Sequence, residues 1–162
     1  TMRFSLVDRI VELERGQSIT AVKNLSLAEE YLQDHFPGFA VMPGVLMIET
    51  CVQAGAWLMR YTDDFQFSTI LLKQAKAVKF NSFVTPGKQL RVTLKTHSWG
   101  PSECTFKCES TIDGESAVSA RITLHQLNLR NRNPSLAQAD SDLIAKMKEV
   151  FHQIWQPALT TA

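Results

Sequence analysis

The chain has 162 residues, which fits one domain, and its 44% hydrophobic and 20% charged content suits a globular protein that buries a core without staples. A formal net charge of +1 gives no overall electrostatic case for nucleic acid or a membrane as partner. Three cysteines, Cys51, Cys104 and Cys108, make a poor disulfide framework, and Thr1-Met2-Arg3 leads into patterned sequence without a signal-type apolar region, so a reducing, cytoplasmic setting is expected.

Leu6 to Leu13 reads as a strand, Glu14 to Gln17 as a turn and Ser18 to Asn24 as the returning strand of a hairpin. Ser26 to Leu32 reads as a helical turn, with Ser26 and Glu29 in capping-box spacing. A stiff loop follows, because Pro37-Gly38 and Pro43-Gly44 stand six residues apart. Pro43 suits the first turn of a helix running to about Tyr61. Apolar residues fall on every face of that helix, so it is expected to be buried all round. Residues 36–59 are largely apolar, but Pro37, Gly38, Pro43, Gly44, Glu49 and Gln53 interrupt them, which favours a core helix over a membrane span.

Four strands are expected next: Thr69 to Phe80, Gln89 to Trp99, Glu103 to Ile112 and Glu115 to Gln126. Asp113-Gly114 marks a tight hairpin between the last two, and the short connections favour antiparallel pairing. The simplest burial for the apolar helix is a sheet wrapped about it, an α+β arrangement. Residues 128–140 read as a polar linker. Ser141 to Gln156 reads as an amphipathic helix with Leu143, Ile144, Met147, Val150, Phe151 and Ile154 on its apolar face. Residues 1–127 thus form the main domain, and 128–162 a linker and helix packed on it.

Glu49 and Gln53 are four apart and share one face of the buried helix. A carboxyl in apolar surroundings favours its neutral form, which can act as a general acid. Gln53 can orient it. His35, held by the Pro-Gly loop, is the usual kind of general base near neutral pH. The free N–H of Gly44 at the helix N-terminus can polarise a carbonyl oxygen. Together these groups suit proton abstraction beside a carbonyl with loss of a β-hydroxyl. By residue type alone, a loop histidine and a satisfied core Glu-Gln pair are the commoner explanation.

The full string is more specific. His35-Phe36-Pro37-Gly38, Val41-Met42-Pro43-Gly44-Val45-Leu46-Met47-Ile48-Glu49 and Gln53-Ala54 resemble the β-hydroxyacyl-acyl-carrier-protein dehydratase family. The likeness extends to Phe4 to Ile10, Val22 to Asn24, Lys79-Phe80 and Val84 to Leu90, and so covers residues 4 to about 127. It implies a hotdog fold, an antiparallel sheet around a long central helix, and a homodimer with each site shared between subunits, extending in some relatives to a hexamer. It implies His35 as base, Glu49 as acid, Gly44 as oxyanion donor and Gln53 as support, with no cofactor or metal. Phe36, Phe39, Val41, Pro43, Val45 and Trp57 are expected to meet the acyl chain.

The partner implied is acyl carrier protein bearing a phosphopantetheine-linked acyl chain. Residues 65–102 hold six lysines and arginines and no acid, and Lys73, Lys76, Lys79 and Lys88 among them are expected to meet that acidic carrier. Three departures stand out: the family's segment before the first strand has no counterpart here, Phe39 and Ala40 replace its usual residues, and residues 128–162 are additional. The competing readings are an acyl-coenzyme A hydratase or thioesterase of the same fold, and a non-catalytic acyl-thioester-binding protein.

Overall fold

The computed structural model describes residues 5–26 and 42–157. His35, Phe36, Phe39 and Val41, and all of the expected helical turn beyond Ser26, lie outside the described residues.

Six strands form one antiparallel sheet: β1 (Arg9–Glu14), β2 (Ser18–Asn24), β3 (Thr69–Phe80), β4 (Gln89–Trp99), β5 (Glu103–Ile112) and β6 (Glu115–Leu127). Their spatial order is β1-β2-β4-β5-β6-β3. Helix α1 (Gly44–Thr62) lies against the sheet, and helix α2 (Ala137–Ile154) follows it in the chain. The α+β reading holds, and β2, β3, β4 and β5 span the residues expected. β1 begins three residues later than Leu6, although Leu6 and Val7 are buried ahead of it.

Turn chemistry sets the hairpins. Asp113 and Gly114 both take positive φ, 52° and 83°, the pair of left-handed residues a two-residue hairpin turn needs. Gly16 does the same work between β1 and β2, at φ 71°. That first turn also holds the end of α1. Arg15 Nη1 donates to the carbonyls of Tyr61 (2.8 Å) and Thr62 (2.9 Å), and Gly16 N donates to Thr62 Oγ1 (2.9 Å). The orphan carbonyls of the helix C-terminus are thereby satisfied.

The core sits between α1 and the inner face of the sheet. Inward residues alternate along β4 and β5, with Leu90, Val92 and Leu94 on one and Cys104, Phe106 and Cys108 on the other. Gly55 lets the helix lie close on the sheet. A Cβ there would lie 3.0 Å from Leu124 Cδ1 and from Leu94 Cδ2, so a side chain would have to displace those leucine methyls. Cys51 on α1 meets Cys108 on β5 with their sulfurs 2.6 Å apart, both buried.

The stretch 128–140 is not the loose linker expected. Two 3₁₀ turns, Leu129–Asn131 and Pro134–Leu136, lead into α2, which begins at Ala137 rather than Ser141. Buried Asn128 accepts from Ser68 N (2.9 Å) and donates to Gln66 O (3.1 Å). Asp140, also buried, accepts from Ser68 Oγ (2.5 Å), Leu129 N (2.8 Å) and Arg130 N (3.0 Å). Pattern reading missed this because polar residues look like surface until their partners are known. Beyond the knot, α2 docks through Phe151, whose ring lies 5.9, 5.7 and 5.4 Å from those of Trp57, Tyr61 and Phe65.

Burial alone would raise the pKa of Asp140, but the Ser68 hydroxyl and the Arg130 and Leu129 N–H groups outweigh it and hold the carboxyl below its usual value. A folded-state pKa depressed in this way adds stability above the unfolded-state value, roughly 4, and that stability is lost as pH falls through the folded value. Asp140→Asn is therefore expected to lower the urea midpoint at pH 7. The gap from wild type should close as both proteins are titrated below pH ~4. A gap independent of pH would show that the charge of Asp140 contributes nothing.

Candidate active site

One stripe of α1 turns away from the sheet and carries Glu49, Gln53, Ala56 and Arg60 at helical spacing. Over it lies a cavity of about 450 Å³ lined by this stripe with Val52 and Trp57, by Ser5 and Ile70, and by Leu143, Lys146, Met147 and Val150 of α2. Glu49 is the one carboxyl in that lining among the described residues, and it is half-buried. The expectation that α1 is buried all round therefore holds with one qualification. The stripe from Glu49 to Arg60 faces α2 across a cavity rather than through close packing.

Gln53 does share the cavity with Glu49, as their spacing required. Its Oε1, however, accepts a 2.7 Å hydrogen bond from Leu6 N. What it can offer a carboxylate is its amide NH₂ group. Gln53 thus also fastens the segment before β1 to the helix.

Among the described residues, no side chain caps the N-terminus of α1. Pro43 is the N-cap, makes no side-chain cap bond, and its carbonyl accepts from Leu46 N and Met47 N at 3.0 and 3.2 Å. No acidic residue stands in the first turn. The N–H of Gly44 has no carbonyl to meet within the helix, and the dipole makes this end attractive to a developing oxyanion. Phe80 closes on Gly44: a Cβ there would lie 3.0 Å from the ring. Phe80 stacks on Phe83 at 6.0 Å, and both remain exposed, at 43% and 49%.

The other expected contacts divide. Trp57 lines the cavity. Pro43 caps the helix and Val45, 73% exposed, points out of it, so neither belongs to the cavity lining. The lysines fall differently from a single patch beside the site. Lys73 pairs with Glu103, and Lys88 Nζ lies 2.7 Å from Asp113 Oδ2. Lys76 stands opposite Arg121, which stands opposite Lys107, which stands opposite Lys95, and Lys79 stands opposite Ser119. These residues alternate with the inward ones, so the cationic row lies on the sheet's outer face, across from α1. The sequence reading missed Arg60, Leu143, Lys146, Met147 and Val150 as cavity residues. The helical spacing from Glu49 to Arg60 was the available signal for the first. Nothing local places α2 over α1.

Among the described residues no three histidine, cysteine, aspartate or glutamate side chains converge as a metal site, and no helix is long and apolar enough to cross a membrane.

Removing the Gln53 side chain is expected to leave the N–H of buried Leu6 without an acceptor. Gln53→Ala should cost about 1–3 kcal/mol in urea unfolding. It should also speed amide hydrogen exchange at Leu6 selectively. Unchanged exchange there would mean that the bond does not hold the segment.

Comparison with known proteins bears on what this cavity is. Residues 1–121 match the FabA-like domain family. The 3-hydroxyacyl-(acyl-carrier-protein) dehydratase FabZ of Levilactobacillus brevis is 39% identical over 117 residues, 72% of this chain and 79% of that one. The FabZ of Polynucleobacter necessarius is 38% identical over 120 residues, 74% of this chain and 80% of that one. Among solved structures, the dehydratase heterocomplex ApeI:P from Xenorhabdus doucetiae superposes with a TM-score of 0.68 at 17% identity, covering 82% of this chain and 90% of that one. The acetyl-CoA-bound smu.793 protein of Streptococcus mutans gives 0.58 at 14%, covering 79% and 94%; these two likenesses concern the fold, which is the hotdog fold. With three quarters of its length matched by that family model, the chain belongs to the FabA-like family.

Proposed function

We propose that this chain dehydrates 3-hydroxyacyl thioesters carried on acyl carrier protein to trans-2-enoyl thioesters, in fatty acid or related lipid synthesis. The relatives named FabZ support the activity, which is that of a hydro-lyase. The observation that carries it to this chain's residues is the placing of Glu49. Among the described residues it is the one carboxyl of the cavity, and it stands five residues, about 7 Å of helix rise, beyond Gly44.

In this reading the thioester carbonyl accepts from Gly44 N–H, and the 3-carbon lies beside Glu49. His35 removes a proton from C2. The electron pair forms the C2–C3 double bond, and the C3–O bond breaks. Glu49 gives its proton to the departing hydroxyl, which leaves as water. No step asks for metal or redox chemistry. Each catalytic group acts on a separate atom of one short unit, so their fixed spacing supplies the advantage of proximity.

A second copy of the chain belongs to the proposal. Among the described residues β3 is an edge strand, paired on one side with β6 only, and it exposes Leu71, Leu72, Val78 and Phe80. Long apolar edges of this kind are covered in stable proteins. At its far end Phe80 stacks on Phe83 against Gly44, which brings the apolar edge to the start of the helix. A homodimer closed there would bring the loop of one subunit toward the Glu49 cavity of the other, and His35 would serve its partner's site. Larger assembly, such as a trimer of dimers, is compatible with this. An acidic carrier has the outer cationic row of Lys76, Lys95 and Arg121 available to it, with Lys107 among them paired to Glu109 at 3.4 Å. The cytoplasm is the compartment proposed.

Ultraviolet absorbance of the enoyl thioester tests the reading, on matched carrier-bound and coenzyme A-bound substrates. Wild type is expected to turn over the carrier-bound form better, and His35→Ala and Glu49→Gln to lose about 10²–10⁴-fold each. Co-expressing the two variants is expected to restore about a quarter of wild-type activity, because a mixed dimer carries one intact site of two. Release of free thiol without enoyl formation would favour a thioesterase. Binding without turnover on any chain length would favour an acyl-binding protein.

A further inference from the structure

Among the described residues, Arg60 is a cation without a counter-ion. Its guanidinium lies over the Trp57 ring, 4.7 Å from the centroid, and its Nε is buried with no hydrogen-bond partner. Among the described residues it forms no ion pair. Burial lowers its pKa to about 10, which leaves it charged at neutral pH. A desolvated charge is costly unless something of opposite sign meets it.

The cavity lining shows where that partner would come from. Arg60 lines the same cavity as Glu49, and Lys146 of α2 lines it too. Glu49 does not neutralise Arg60. Eleven residues of helix separate them, about 16 Å along the axis, far beyond ion-pair reach. Between them the lining is Val52, Gln53, Ala56 and Trp57, with Met147 and Val150 opposite. The cavity is thus acidic at one end, mostly apolar through the middle and cationic at the other.

Direction follows from the chemistry. If the thioester carbonyl meets Gly44 and the 3-carbon meets Glu49, the rest of the acyl chain can only continue toward the C-terminal end of α1. That path ends at Arg60. An extended chain advances about 1.2 Å per bond, and the arginine side chain reaches back along the cavity, so roughly eight to twelve bonds span the gap.

We propose that Arg60, with Lys146 as the second cation of the cavity lining among the described residues, recognises the far end of the acyl chain, and that the preferred substrate is a 3-hydroxyacyl thioester ending in a carboxylate. The proposal rests on the dehydratase reading for its direction. A guanidinium suits it, since its planar fork pairs with a carboxylate through two parallel hydrogen bonds. A simple alkyl end would leave that fork desolvated and unpaired. The walls from α2 lie outside residues 1–121, so the cavity is built partly beyond the segment shared with the family.

The test compares 3-hydroxyacyl pantetheine thioesters of matched length that end in a carboxylate or a methyl group. Wild type is expected to favour the carboxylate by about tenfold or more in kcat/KM, at lengths that reach Arg60. Arg60→Met should collapse that ratio toward one. Arg60→Lys should keep part of it, and Lys146→Met should reduce it. The two milder variants decide the matter if Arg60→Met fails a circular dichroism check of folding. A wild-type ratio near or below one at every length overturns the proposal. So does a ratio unchanged by both arginine variants, which would mean that an acid of the chain's own tail or of a second subunit already serves the guanidinium. Calorimetric binding of a saturated pantetheine thioester ending in a carboxylate separates the two readings. Arg60-dependent binding without any dehydration would sink the dehydratase reading and keep the recognition site. Dehydration without carboxylate preference would do the reverse.

Discussion

The structure depends on one demand, that α1 be covered on every side. A helix apolar around its circumference cannot face water, and a single sheet can cover only part of it. The inner faces of β2, β4, β5 and β6 take the side that carries Gly55, where the missing side chain lets the helix settle onto Leu94 and Leu124. Helix α2 takes the side that carries Trp57 and Tyr61, through Phe151. The stripe from Glu49 to Arg60 falls between these covers. It can be neither packed like a core nor wetted like a surface, and it becomes a cavity.

The placing of α2 matters accordingly more than its length suggests. Its apolar face would fit many grooves, but the Asp140 knot fixes it to one. A carboxylate that accepts three hydrogen bonds from Ser68, Leu129 and Arg130 joins the start of the helix to the approach of β3. Charge-assisted bonds of this kind are directional, whereas the Phe151 contacts are not. Helix position, and with it the wall formed by Leu143, Lys146, Met147 and Val150, is set by the polar contact and stabilised by the apolar one.

Strands and α1 were legible in the sequence because their signals are local. Alternation, Asp113-Gly114 and the Pro43-Gly44 start fall within a few residues of what they specify. Glu49 and Gln53 were legible for the same reason, being one helical turn apart. The crossing of the chain after α1 to the far edge of the sheet was not, because β3 could pair with β2 as well as with β6 by pattern alone. Gln53 showed its side but not its partner, since Leu6 lies 47 positions away. Asp140 looked like linker for the same reason. Lys73 and Lys88 looked like a free cationic patch until the fold brought Glu103 and Asp113 to them.

The electrostatics of α1 give these separate features one axis. Its N-terminus begins at Gly44, where the dipole favours negative charge, and its last turn holds Arg60, where the dipole favours positive charge. The dipole acts only within a turn of each end, so it aids the carbonyl at Gly44 and the cation at Arg60 while leaving Glu49 to its own surroundings. Help at the C-terminal end lets a guanidinium persist there without a partner. A helix with N–H donors at its start, an acid in its second turn and a cation in its last turn has a direction built into it. In the proposed reaction a thioester laid along it would meet the reacting groups first and the terminal cation last.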